Sequence, residues 1–176
     1  MENEFLTCII KRFTNYKTLG EKTFSQVSDE QLFFQPNEES NSVAMIVQHM
    51  HGNMMSRWTD FLTTDGEKEW RERDKEFEQL INDRDTMIKR WNEGWDCLLS
   101  ALGGLSEKDL LKTVFIRQEP LSAMDAILRQ LAHYSYHVGQ IVYLGKICAD
   151  KNWNSLSIPR NKSREFNDQL LKGKKG

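Results

Sequence analysis

"LSAMDAILRQLAHYSYHVGQIVYLGKICA", residues 121–149, decides how this chain is read. Pro120 stands just before it, and Ser122 with Asp125 offers a helix start. Ile127, Leu131, Tyr134, Val138, Ile141 and Val142 recur at helical spacing, which predicts a long helix over about 121–149. An α-helix turns about 100° per residue, so His133 and His137 fall roughly 90–130° from the centre of that apolar stripe. Gln130 and Gln140 share this flank. Residues four apart stack on one helix face, so both imidazoles can reach one point.

Working outward, Phe5, Ile9, Phe13 and Tyr16 predict a first helix over about 3–22. "SDEQLFFQP" follows, with Ser28 and Gln31 in the pattern of a capping box for a short turn. Val43, Ile46, Val47, Met50, Met54, Trp58 and Phe61 predict a second long helix, about 41–63. "TDGEKEWRERDKEF" reads as a polar crossover. Leu80, Ile88, Trp91, Trp95, Leu98 and Leu102 place a third helix at about 77–102. "GGLSEKDLLK" is a break with a second short turn, and "KTVFIRQEP" offers a short extended piece. No convincing strand alternation is present, and residues 150–176 read as irregular. Four amphipathic helices and one long crossover imply an all-α fold, an antiparallel four-helix bundle in a single domain over 1–176. The Trp, Phe and Met stripes are its expected core.

With 28% charged residues and a net charge of −2, the chain lacks the basic face that nucleic-acid binding needs. Three well-separated cysteines, Cys8, Cys97 and Cys148, without C-x-x-C, argue for a reducing compartment. "MENEFLTCIIKRF" lacks the pattern of a signal peptide, and no apolar run approaches the roughly 18–20 residues of a membrane span. The expected location is the cytoplasm, with no nucleic-acid or membrane partner.

The remaining two histidines, His49 and His51, both lie in "VQHMHGN" on the second helix. They leave opposite flanks of that helix, so only one of them can join His133 and His137. Helix phase alone does not choose between them. All four histidines on two helices, with one pair at ligand spacing, point to a three-histidine metal site. Tyr134 stands where an H-E-x-x-H protease has its glutamate, and no Glu-x-x-His repeat of a di-iron bundle appears. Neither a P-loop, nor G-x-S-x-G, nor G-x-G-x-x-G is present. Three neutral imidazoles leave the charge of a metal in place and a position open, as in a catalytic or exchangeable site.

"SVAMIVQHMHGNMMSRWTDFLTTDGEKEWRERDKEF", "RQLAHYSYHVGQIVYLGK" and "SLSIPRNKSREFN" resemble the DinB/YfiT-like superfamily of metal-binding four-helix bundles, most closely a branch of unknown function. The resemblance implies a ligand set of His49, His133 and His137, which leaves His51 a bystander. It also implies a divalent ion, commonly zinc or nickel, and a homodimer. Relatives that use bacillithiol-type thiols imply a small-molecule substrate and a thiol S-transferase activity. Metal-dependent hydrolysis is the alternative, and a non-catalytic metal-binding or stress-related protein is a third. No catalytic residue beyond the ligands is implied.

Position adds further candidates. Asn53 and Gln140 lie about one turn from His49 and His137, where they can steady an imidazole or a bound water. Arg160, Lys162 and Ser163 in "SIPRNKS" can cover the bundle mouth and grip an anionic cosubstrate. Asp60 and Asp65 are candidate bases.

Overall fold

Ser122 closes the start of the last long helix, its hydroxyl accepting from the Asp125 N–H at 3.1 Å, and α5 then runs unbroken through Ala123–Ala149. The computed structural model describes residues 4–173. The other long helices are α1 (Glu4–Phe24), α3 (Val43–Trp58) and α4 (Arg84–Gly103), with a short α2 (Asp29–Phe33) and a terminal α6 (Ser163–Gly173). Ser42 and Asp83 cap α3 and α4 through the N–H groups of Met45 and Thr86. Ser28 and Gln31 form the capping box of α2. The described residues are therefore mainly helical, and α3 packs on α4 and α5 while α1 packs on α5 and α4. Among them, no helix is long and apolar enough to cross a membrane.

Each long helix sends one aromatic ring to the centre. Phe13, Trp58, Trp95 and Tyr134 are all nearly or fully buried. Phe13 lies 6.0–6.3 Å from the other three rings, tilted or edge-on to each. The Tyr134 hydroxyl also carries a polar chain, accepting from Trp58 Nε1 at 3.0 Å and donating to Asn53 Oδ1 at 2.9 Å. Tyr134→Phe leaves both partners buried and unpaired, so a loss of about 1–3 kcal/mol is expected in urea unfolding. An unchanged midpoint would show that these bonds contribute nothing.

Three expectations are corrected and a fourth, the short extended piece, is extended. The second long helix stops at Trp58 rather than 63, because Thr59 turns extended and Asp60 takes φ 51°. The third starts at Arg84, not 77. Residues Asp74–Phe77 form a 3-10 turn, Asp83 sets the cap, and Leu80 is 50% exposed rather than on a buried face. The C-terminal segment is helical over Ser163–Gly173, the part of it at 174–176 lying outside the described residues. "KTVFIRQEP" belongs to an antiparallel hairpin of β1 (Thr113–Ile116) and β2 (Glu119–Ser122), with Val114 opposite Leu121.

That hairpin turns without glycine. Arg117 and Gln118 have φ of 54° and 65°, a strained region for L-residues. Asp65 supports the turn, its two carboxylate oxygens accepting from Arg117 N–H at 2.8 Å and Gln118 N–H at 2.7 Å. Burial raises the Asp65 pKa, but these bonds and one from the Glu67 N–H outweigh it and hold the carboxyl below its usual range. Asp65 is thus a turn anchor, not a free base. Asp60 sits in the exposed turn after α3.

Candidate metal centre

The helix α3 is buried on nearly every side, including Gln48, His49, Asn53, Ser56 and Arg57. Buried polar groups need partners, and the crossover supplies them by lying along α3. Gln48 Nε2 donates to the carbonyls of Lys75, Glu76 and Glu78. Ser56 donates to the Gly66 carbonyl at 2.7 Å, and Arg57 pairs with Glu67 at 3.0 Å. The same segment delivers Glu76 to His49, with Oε2 2.9 Å from Nδ1. Gly52 makes room for this, since a Cβ there would stand 2.2 Å from Glu76 Oε1.

Glu76 is itself clamped by Arg71, whose Nε and Nη2 donate at 2.7 and 2.9 Å. Burial pulls its carboxyl pKa up, but His49 and Arg71 together bring it below the usual range. An ionised Glu76 makes Nδ1 of His49 the protonated nitrogen and leaves Nε2 with a free lone pair. The same logic holds for His137, whose Nδ1 lies 2.8 Å from Gln140 Oε1. Both free nitrogens face His133, since His133 Nε2 lies 3.4 Å from His49 Nε2 and 3.0 Å from His137 Nε2. All three ligand atoms lie within 4.8 Å of one another.

Two of the three nitrogen pairs stand at the spacing a divalent ion sets, and the third pair lies within 4.8 Å. Nitrogens at about 2.0–2.1 Å from one zinc stand ~2.9–3.4 Å apart for angles of ~90–109°. Without an ion, His133 can donate from Nε2 to only one of the two facing nitrogens, which leaves the other lone pair unmatched. Burial, with His137 and His49 close by, pushes His133 down to about 3. Burial, together with His49 and against the Gln140 bond, pushes His137 down to about 4. Both are therefore neutral and ready to ligate at physiological pH. A histidine lowered in the fold makes the unfolded chain bind more protons, so stability is present above about 6.5 and lost as pH falls below it. In the metal-free protein, the urea midpoint is expected to drop between pH 7.5 and pH 5; a flat profile would count against these buried neutral imidazoles.

The other sequence candidates are placed as follows. His51 lies away from the triad, 3.3 Å from Glu93. Asn53 is buried beside His49 on the wall of a cavity, and its Oδ1 is engaged by Tyr134. Arg160 and Lys162 are exposed before α6 and Ser163 is its first residue. Lys162 pairs with Glu165 at 2.7 Å, and none of the three lines that cavity. Sequence reasoning missed Glu76 and Arg71. Their one signal was the density of charge in a segment that reads as a polar crossover.

A family described as "Protein of unknown function (DUF1572)" matches residues 1–162. No curated protein matches the chain.

Proposed function

The chain belongs to the DUF1572 family, whose description leaves the activity to be read from the residues, and we propose that it is a divalent-metal enzyme of the low-molecular-weight-thiol S-transferase type. The observation that carries the metal is the convergence of three imidazole Nε2 atoms whose outer nitrogens, in His49 and His137, are tied back to Glu76 and Gln140. His49, His133 and His137 would hold the ion, zinc or nickel being suited to an all-imidazole set. An ion so held supplies a Lewis acid that makes a bound water or thiol acidic near neutral pH. The resemblance to DinB/YfiT-like proteins supports the thiol reading and an antiparallel four-helix arrangement for α1, α3, α4 and α5.

The residues around the triad favour a thiol brought by a cosubstrate. Cys97 is engaged with Thr59, and burial holds its thiol up. Glu76 has both oxygens committed to Arg71 and His49, so it is not free to accept a proton as a hydrolytic base. A thiol S-transferase needs no such base from the protein. The homodimer is a proposal as well, supported by Tyr136, Tyr143 and Ile147, which stand exposed along one face of α5.

The zinc- or nickel-loaded protein, given a bacillithiol-type thiol and a generic electrophile, is expected to turn over and to lose this activity on chelation. Metal-dependent ester or amide hydrolysis without thiol would instead favour the hydrolase. Stoichiometric metal with neither activity would favour a non-catalytic role.

A further inference from the structure

Beside the triad is a cavity of ≈ 160 Å³ whose wall includes His49 and His133 together with Arg57, Arg71, Arg73, Arg117 and Arg129. No acidic residue lines it. The acids behind it are fewer than the arginines. Glu67 pairs with Arg57 and Arg117, Glu76 with Arg71, and Glu119 with Arg129. Arg73 pairs with no acid among the described residues. Five guanidinium groups thus have three carboxylate partners, a fourth acid, Asp65, being taken up by the Arg117 and Gln118 N–H groups, beside a site suited to a cation.

Two of these arginines are deeply buried and incompletely bonded. The Arg57 and Arg71 side chains are 7% and 2% exposed. Arg57 Nε and Arg71 Nη1 have no hydrogen-bond partner, the nearest acid to Nη1 being Glu67 at 3.6 Å. A buried charged donor without an acceptor is costly. Both side chains line the cavity, which places two under-bonded guanidinium groups at its wall.

We propose that this cavity is an anion subsite, which receives a carboxylate or phosphate group of the substrate next to the metal. Guanidinium forks match both groups bidentately. The volume is below the ~300–1,000 Å³ of pockets for drug-sized ligands, so it takes a small anion or the anionic end of a longer molecule. The inference rests on the metal reading only for what lies beside the anion; the arginines themselves are independent of it.

The test titrates inorganic phosphate and, separately, malonate into the zinc-loaded protein by calorimetry at fixed ionic strength. Binding with 1:1 stoichiometry to at least one anion is expected, and the stronger of the two identifies the group. Arg73 is exposed and Arg129 is 46% exposed, so the double variant Arg73→Gln/Arg129→Gln is expected to fold and keep its zinc. Its anion affinity should fall by about tenfold or more, the loss of a charge-assisted contact. The proposal is overturned if neither anion binds the wild type beyond chloride, or if the double variant binds as tightly as the wild type. Zinc without anion binding would sink the subsite alone. Arginine-dependent anion binding in a wild type that takes up no zinc would sink the metal reading alone.

Discussion

Replacing Glu76 by alanine is expected to destabilise the protein by about 3–5 kcal/mol and to weaken metal binding by roughly 10–100-fold. Arg71 Nε donates to this carboxylate at 2.7 Å, and the two side chains are 2% and 8% exposed. Without Glu76 the Arg71 charge stays buried with no close counter-ion except Glu67 at 3.6 Å. His49 loses the acceptor at 2.9 Å that fixes its proton on Nδ1. Its imidazole is then free to rotate and to present the wrong nitrogen. Glu76→Gln keeps an acceptor but no charge, and should fall between the wild type and alanine. Urea unfolding and a zinc competition titration read the two effects separately. Wild-type stability and affinity in Glu76→Ala would remove Glu76 from the site.

His133→Ala is expected to lose stoichiometric metal, a larger effect than the roughly 10–100-fold cost of losing an outer partner. His133 is the hinge of the set, with Nε2 at 3.4 Å from one partner and 3.0 Å from the other. Its removal leaves two imidazoles from different helices. The metal-free variant should also lose less stability than the wild type on acidification. It no longer carries a histidine pushed down to about 3, and so avoids part of the proton uptake on unfolding. His51→Ala is the control, because His51 pairs with Glu93 outside the triad. Equal metal content in His133→Ala and His51→Ala would dissolve the distinction between them.

The long helices could be read from the sequence because their stripes are local. Ile127, Tyr134, Val138 and Ile141 are all buried at the spacing the sequence shows. The neighbouring positions of His133 and His137 follow from the same period, and their rings lie 4.6 Å apart. The choice between His49 and His51 was not local, since it depends on where the crossover lies. Residues 64–76 carry so many charges that they read as a polar connection. Of these only Gly66 and Glu76 are buried, against α3, whose Gln48, His49, Ser56 and Arg57 take partners from this distant segment. Phe77 falls at the start of the predicted third helix because Leu80 and the stripe after it share the helical period. Its apolar ring instead stacks on His49 at 4.8 Å. The hairpin was missed because Arg117 and Gln118 carry no turn signal, the turn being supported from outside by Asp65.

X-ray absorption at the zinc edge of the zinc-loaded protein tests most directly whether one ion sits among His49, His133 and His137. The expected spectrum has three imidazole nitrogens at about 2.0–2.1 Å and a light donor in the remaining position, and His133→Ala should lose that shell. Sulfur at about 2.3 Å, or a wild-type spectrum without imidazole scattering, would contradict the site.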